Sequence, residues 1–424
     1  MFFIIFDIFI TQKVCYNRIK RRKKECVMIC SSLLVGGKTI PNRIVLQPME
    51  GCDCEPDGSP SDLTAEKYKK AAKSGAGTVW FEANAVCPEG RTNPRQMMLT
   101  QNNLPVFKKL LSELREIAKN EHGISPVFIL QLTHSGRQSL RPMIAYRNPV
   151  YEERRPVGDD AVVTDEYLDT LPALYAKSAL LAVEAGFDGV DVKSCHGYLL
   201  QELLSAFTRK GKYGGSLENR MRLYLDCIGA VKEVLPENIL LTARLSVSDM
   251  VKKPYGFGTT EENLLQLSEP DILIGKMVEA GVTVLNVTVG NPYYNPHVNR
   301  PYRKGGYLAP ESAETGLQRF TYIEKHIKKK FPSLLVVGSG LSYYRETLFT
   351  ESERLLSEGV CDMVGYGRMW LAYPEFFADH LKSRFEPKKC CLACSKCTEL
   401  MRAGKVSGCA VFNEYYRDLY KTIQ

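Results

Sequence analysis

Near the C-terminus, the run KKCCLACSKCTELMRAGKVSGC places Cys391, Cys394, Cys397 and Cys409 in the spacing C-x2-C-x2-C-x11-C. Three thiolates on a short loop and a fourth a dozen residues on can wrap one metal centre. From the spacing alone, zinc and a [4Fe–4S] cluster both fit. Fourteen cysteines is a high count, but they are not distributed as a disulfide framework. That usage points to a reducing compartment and a cytoplasmic location. Cys390 reads as a bystander to the series, and Cys195, Cys227 and Cys361 as small buried apolar residues. Cys52 and Cys54 carry no role that the sequence explains.

A second group of reactive side chains recurs at the ends of short apolar runs. In order these are Pro48-Met49-Glu50, Glu82-Ala83, Gln131 with His134, Lys193 with His196 and Tyr198, Arg244, Thr288 to Gly290, Gly338-Ser339-Gly340 and Gly365-Tyr366-Gly367-Arg368. Glycines let backbone N–H groups approach an anion, and Arg368 adds a bidentate charged fork, so the last two sets suit a phosphate. His134 and His196 both fall on this rim. His122, His297, His326 and His380 fall on helices or loops and read as surface or packing residues.

The elements that must position these residues repeat eight times. Apolar runs of strand length lie at 43–49, 77–85, 126–132, 186–194, 239–246, 282–290, 334–340 and 361–367. Segments of helical period follow at 64–74, 105–121, 166–185, 219–234, 271–280, 316–330, 346–358 and 374–383, several closed by a glycine. Eight β-then-α units predict an α/β fold of the (β/α)8 TIM-barrel type, followed by a four-cysteine metal or cluster segment. No GxGxxG follows the first run, which disfavours a doubly wound sheet. In such a barrel the active site lies at the C-terminal ends of the strands, and the loops after strands seven and eight often hold a phosphate. We therefore expect a barrel over 28–385 and a cysteine-rich segment over 386–424.

Composition (44% hydrophobic, 25% charged) excludes collagenous, low-complexity and wholly disordered chains. Of the formal net charge of +8, +5 sits in residues 1–27, so the body of the chain gives no reason to expect nucleic acid. The opening MFFIIFDIFI is too short for a membrane span and contains Asp7, and its basic residues follow the apolar run rather than precede it. A weak membrane-surface anchor is one reading. An extension outside the fold, with Met28 as the working first residue, is the one preferred.

In chain order, PNRIVLQPM, QLTHSGR, GFDGVDVKSCHGYLLQELLS, YGGSLENRMR, ARLS, VGSG and DMVGYGR resemble the motifs of the Old Yellow Enzyme family of FMN-dependent NADH:flavin oxidoreductases. The likeness covers about residues 36–410. It implies a non-covalent FMN at the barrel mouth, with Gln131 on the polar edge of the ring and Arg244 near N1 and O2. Gly340, Gly367 and Arg368 would hold the phosphate, and Pro48, Met49, Glu50, Ala83 and Ser339 would complete the cofactor site. The resemblance also implies an ene-reductase, in which hydride passes from flavin N5 to the β-carbon of an activated alkene. His196 and residue 193 would hold the carbonyl oxygen, and Tyr198 would protonate the α-carbon. A phenol of pKa about 10 suits protonation of an enolate-like carbon.

Three positions depart from that pattern. Lys193 stands where the family most often has histidine, and its ammonium suits an anionic acceptor such as a 2-enoate. Glu50 replaces a neutral group on the O4 side of the flavin, where an ionised carboxylate disfavours reduction. The stretch Phe207-Thr208-Arg209-Lys210-Gly211-Lys212-Tyr213-Gly214-Gly215 has lost the family's Asn and Asp.

The dienoyl-CoA reductase and trimethylamine dehydrogenase branches carry a four-cysteine iron–sulfur motif at this place, so the resemblance favours [4Fe–4S] over zinc. Longer members continue into FAD and NAD(P)H domains. Only 15 residues follow Cys409, so NAD(P)H, reduced ferredoxin or a separate flavoprotein is expected as the outside electron donor. Two further readings stay open: a flavin-dependent amine dehydrogenase or demethylase passing electrons out through the cluster, and a zinc-stabilised barrel without catalysis.

Overall fold

The structure is a computed structural model that describes residues 28–424. The expectations for residues 1–27 lie outside the described residues. Eight parallel strands close into a barrel: β1 (Ile44–Leu46), β2 (Thr78–Ala85), β3 (Val127–Thr133), β4 (Gly189–Ser194), β5 (Leu240–Ser246), β6 (Val284–Thr288), β7 (Leu335–Gly338) and β8 (Met363–Tyr366). Each pairs with its successor, and β8 returns to β1. Nearly every strand residue is buried, as expected of a parallel sheet covered on both faces.

The outer layer consists of α1 (Asp62–Ala72), α2 (Leu104–His122), α3 (Asp165–Ala185), α4 (Leu217–Val234), α5 (Ser268–Glu279), α6 (Ala313–Lys330), α7 (Leu348–Ser357) and α8 (Phe376–Leu381). Hydroxyls of Ser61, Thr164, Ser216 and Ser312 accept from the N–H groups of Thr64, Tyr167, Asn219 and Thr315, capping α1, α3, α4 and α6. The glycines expected at helix ends, Gly75, Gly186, Gly281 and Gly359, all have positive φ. This is the (β/α)8 barrel that the alternating pattern predicts.

The sequence pattern missed a hairpin, Leu33–Val35 paired antiparallel with Lys38–Ile40. Its strands are too short to show alternation. Val35 and Ile40 pack with Val45, Trp80, Ile129, Leu240 and Val337 at the strand starts, closing the N-terminal end of the barrel. The opposite end is left to the loops.

Two features set up that open end. A register shift in β2 between Trp80 and Ala83 lets both residues face inward although they are an odd number apart. In the β4–β5 ladder Lys193 lies directly beside Arg244, which brings two cations to one rim. Beyond α8, helices α9 (Lys396–Arg402) and α10 (Glu414–Lys421) pack through Leu400, Val406, Ala410 and Tyr416. This segment is tied to the loop after β1 by Ser407 N–H donating to the Gly51 carbonyl at 2.6 Å. Among the described residues no helix is long and apolar enough to cross a membrane.

Candidate active site

A cleft opens at the C-terminal ends of the strands, where barrel enzymes carry their active sites. Every barrel residue expected to hold cofactor or substrate lines it, from Pro48 to Arg368.

Asp191 organises the cleft from below. Its Oδ2 accepts from Trp80 Nε1 at 3.0 Å and from Gln131 Nε2 at 2.6 Å, and its Oδ1 accepts from the Arg244 backbone N–H at 2.7 Å. Burial raises its pKa to about 6 against the pull of these donors and of the Arg244 charge. Gln131 is thereby oriented, with one amide hydrogen and its carbonyl oxygen left for a ligand. Arg244 is buried; its Nη1 reaches the Pro48 carbonyl at 3.5 Å, and its Nε has no partner.

On the loop after β4, His196 and Gly197 both adopt left-handed backbone, with φ of 67° and 70°, turning the chain sharply before Tyr198. The Lys193 ammonium lies 3.6 Å from the centroid of the Tyr198 ring. Burial lowers its pKa, opposed by the charges of Cys195 and Glu50. His196 is held neutral by burial and by the neighbouring charges of Arg244, Lys193 and Arg300, and its Nε2 is buried without a partner. The Tyr198 hydroxyl donates to Glu50 Oε2 at 3.2 Å and lies 3.4 Å from the Tyr293 hydroxyl. Burial first, then Glu50, raises the Tyr198 pKa well above the ordinary phenol value, so the phenol keeps its proton.

At the far end, Gly340 has φ of 80° and Arg368 donates from Nη2 to the Pro301 carbonyl at 2.8 Å while its Nη1 stays unpartnered. Gly365 is required by contact: a Cβ there would lie 2.4 Å from Gln47 Nε2. Ser339 lines the cleft, but its hydroxyl is engaged with the Val287 carbonyl (2.6 Å) and Gln47 (2.7 Å), and its N–H donates to Glu324 at 2.8 Å. Its role is to hold the loop that presents Gly340.

Two titratable groups face elsewhere. His134 turns away from the rim: it packs against Tyr167, with Nε2 2.9 Å from that hydroxyl, and burial lowers its pKa to about 4. The chain leaves β3 one residue before it and bends through Gly136, at φ of 57°, so His134 is not a site residue. Glu82 points outside the barrel, pairing with Lys67, which also binds Asp53 at 3.0 Å. Glu82 Oε2 accepts from the Gly51 N–H at 2.7 Å, fixing the loop that carries Glu50.

Sequence reasoning missed Tyr293, Arg300 and Met401, which complete the walls. Arg300 lies near Arg368, and burial together with that charge lowers its pKa to about 10. No periodic or motif signal marks the loop residues Tyr293 and Arg300, and Met401 lies on the short helix α9 outside the barrel pattern. Cys397, Thr398 and Ser407 also line the cleft, so the cysteine-rich segment forms part of its wall.

Among the described residues no three His, Cys, Asp or Glu side chains approach closely enough to hold a single metal ion. The four cysteines are nonetheless neighbours. Burial raises the pKa of Cys391, and the charges of Cys397 and Cys394 raise it further. Cys409, pushed up to about 11 by burial, receives N–H donors from Phe412 and Val411 and feels Cys391 and Cys397. The Ala393 N–H donates to Cys391 Sγ at 3.4 Å, and left-handed Ala393 (φ 51°) and Ser395 (φ 63°) flank Cys394. Backbone donors aimed at sulfur are what thiolate ligands of a cluster require.

The cleft fits FMN on its own geometry. The buried donors Arg244 Nε and Arg368 Nη1 have no protein partner, and both residues line the cleft, so each can serve an anionic or carbonyl group of the cofactor. A family model described as the NADH:flavin oxidoreductase / NADH oxidase family matches residues 31–305. The NADH oxidase of Thermoanaerobacter brockii is 29% identical over 369 residues, covering 85% of this chain and 52% of that protein. An NADPH dehydrogenase of Listeria monocytogenes is 31% identical over 352 residues, covering 78% of this chain and 96% of that protein. A cinnamate reductase of Clostridium sporogenes is 28% identical over 410 residues, covering 92% and 58%.

Two solved structures share the fold. A 2-naphthoyl-CoA reductase in complex with 2-naphthoyl-CoA matches with a TM-score of 0.73 at 19% identity, covering 93% of this chain and 58% of that one. The old yellow enzyme homologue of Zymomonas mobilis matches with a TM-score of 0.64 at 20% identity, covering 85% and 98%. The chain thus spans about half the length of the Thermoanaerobacter relative. On the family match and the barrel together, this chain belongs to the NADH:flavin oxidoreductase / NADH oxidase family of FMN-dependent, Old Yellow Enzyme-like oxidoreductases.

Proposed function

We propose that the chain reduces an anionic, carbonyl-conjugated alkene, a 2-enoate or a related enone. The observation that carries this reading is the meeting of Lys193, His196, Tyr198 and Arg244 in one cleft. When bound there, FMN supplies hydride to the β-carbon of the alkene. Gln131 and Arg244 would hold its ring, Pro48, Met49 and Ala83 its surroundings, and Gly340, Gly367 and Arg368 its phosphate.

The Lys193 ammonium and the neutral His196 imidazole hold the carbonyl or carboxylate oxygen as it gains negative charge. Because both are fixed by packing, little reorganisation is needed as charge develops. Tyr198 protonates the α-carbon from a phenol that its surroundings keep protonated.

Charge outside the cleft agrees with an anionic acceptor. A second cavity, with about 1700 Å³ of empty space, adjoins the first through Glu50, Tyr293 and Met401. Arg95, Arg154, Arg155 and Arg402 line it, and Glu50 is the one carboxylate among its lining residues. Such an entrance draws in anions and repels a substrate ammonium, which disfavours amine oxidation. The cinnamate reductase relative acts, by its name, on an unsaturated acid.

The neighbouring placement of Cys391, Cys394, Cys397 and Cys409, with backbone N–H donors on Cys391 and Cys409, supports a metal centre beside the cleft, and the family resemblance favours [4Fe–4S] over zinc there. Electrons would enter from NAD(P)H or from a reduced ferredoxin-like or flavoprotein carrier.

Anaerobic rapid mixing tests the reading. Reduced enzyme is reoxidised by a cinnamate-type acid, with formation of the saturated acid. Reduction of the oxidised enzyme by an amine, with no reoxidation by unsaturated acids, would overturn it.

A further inference from the structure

Once Tyr198 has given its proton to carbon, a buried phenolate remains that must be reprotonated before the next turnover. The surroundings leave few sources. Its oxygen has two polar neighbours, Glu50 Oε2 at 3.2 Å and the Tyr293 hydroxyl at 3.4 Å. Tyr293 is itself a buried phenol whose pKa burial and Glu50 push upward, so it is a poor ultimate donor. Glu50 differs in two ways. Its second oxygen, Oε1, is buried without a hydrogen-bond partner, and the residue lines both the cleft and the outer arginine-lined cavity. It therefore stands between the phenol and the outer cavity. From this position we infer that Glu50 is a catalytic proton carrier that recharges Tyr198 from the outer cavity.

The inference rests on Tyr198 being the proton donor in the proposed alkene reduction. In the first step the Tyr198 O–H bond breaks and a C–H bond forms at the α-carbon. In the second, the Glu50 carboxyl O–H breaks and the phenol O–H re-forms, through the Tyr198–Glu50 hydrogen bond run in reverse. The Glu50 carboxylate then takes a proton from water in the outer cavity. No electrons move in these last two steps.

For this role Glu50 must hold a proton for part of the cycle. Burial raises its pKa, while Lys193, the Tyr198 hydroxyl and Lys67 lower it. Tyr293 and Cys52 also face the carboxyl and favour its neutral form when they themselves carry charge. The loop that carries Glu50 is fixed independently, by the Gly51 N–H on Glu82 and the Gly51 carbonyl on Ser407. Exchange of the carboxyl for an amide thus leaves these anchors in place.

The test compares first and repeated turnover in the FMN-loaded enzyme, using Glu50→Gln, Glu50→Asp and Tyr198→Phe. In Glu50→Gln, steady-state turnover falls about 10²-fold further than the first-turnover rate. Glu50→Asp restores part of the loss, and added acetate rescues Glu50→Gln. Infrared difference spectra taken as the pH is varied contain a buried carboxylic C=O band that is absent from Glu50→Gln. Equal losses in both phases without acetate rescue, or the same infrared band in both proteins, overturn the relay. Tyr198→Phe slows both phases. If it slows neither, the assignment of the donor itself fails, and that result is distinct from failure of the relay alone.

Discussion

The Lys193 ammonium sits over the face of Tyr198, 3.6 Å from the ring centroid, and forms no ion pair among the described residues. A buried lysine without a carboxylate partner is costly, and burial indeed lowers its pKa. The cation–π contact offsets part of that cost while leaving Lys193 on the wall of the cleft, where the proposed function has it meet the substrate anion. Lys193→Met should therefore lower kcat/KM for an unsaturated acid by roughly 10- to 100-fold, the loss of one charged hydrogen bond. A neutral enone should lose only a few-fold. Side-by-side kinetics with cinnamate and a cyclic enone decide the matter: equal losses would show that Lys193 does not select for anions.

Arg244 makes a different prediction because, in the proposed function, its charge faces the flavin ring. With Nε unpartnered and Nη1 only 3.5 Å from the Pro48 carbonyl, most of its donor capacity is unspent. Arg244→Met should lower the two-electron reduction potential of bound FMN by about 30–60 mV, the equivalent of losing roughly 1.4–3 kcal/mol of charge stabilisation. Spectroelectrochemical titration measures this directly. An unchanged potential would mean that Arg244 serves Asp191 rather than the ring.

How far the positions of these residues could be read from sequence depends on how each one reaches the cleft. The places of Gln131, Lys193 and Arg244 on the cleft wall were legible because barrel strand ends converge on one rim, and each residue closes a dense apolar run. His134 failed the same rule by one residue: β3 stops at Thr133, and the left-handed turn at Gly136 swings the imidazole toward Tyr167. Tyr293 and Arg300 were invisible because they arrive from long loops without periodicity, and Met401 because it sits on the short helix α9 beyond the barrel pattern. The hold of Asp191 on Trp80, Gln131 and Arg244 joins three other strands, and no local pattern encodes it. The hairpin at 33–40 escaped for want of length.

Glu324 should make the loop that carries Ser339 and Gly340 sensitive to pH. It is buried on α6, and Oε1 accepts from the Ser339 N–H at 2.8 Å; burial raises its pKa to about 8 from 4.5, opposed by that bond. A carboxyl with a raised folded-state pKa keeps a proton that the unfolded chain has released. Its contribution is thus full below pH 4.5 and is lost as pH rises toward 8. Glu324→Gln keeps the acceptor and cannot ionise. The variant should match the parent near pH 4.5 and exceed it at pH 8–9 by roughly 4 °C or more in Tm. Parallel Tm curves across that range would show that Glu324 does not set the pH response.

The cysteine series separates a cluster from zinc and ligands from bystanders. Cys390 is fully buried, its pKa raised to about 11 by burial, and the first charges it meets are Arg345 and Glu346. Cys391 and Cys409 differ in accepting backbone N–H donors, from Ala393 and from Phe412 and Val411 respectively. Serine at Cys391, Cys394, Cys397 or Cys409 should therefore abolish acid-labile sulfide and most of the iron in anaerobically purified protein. Serine at Cys390 should leave both in place. Because Cys397 lines the cleft, loss of the cluster should also slow flavin reduction by a one-electron donor such as reduced ferredoxin. Direct reduction by dithionite should be less affected. A preparation holding one zinc and no sulfide would overturn the cluster, and iron loss in Cys390→Ser equal to that in the other four would redraw the ligand set.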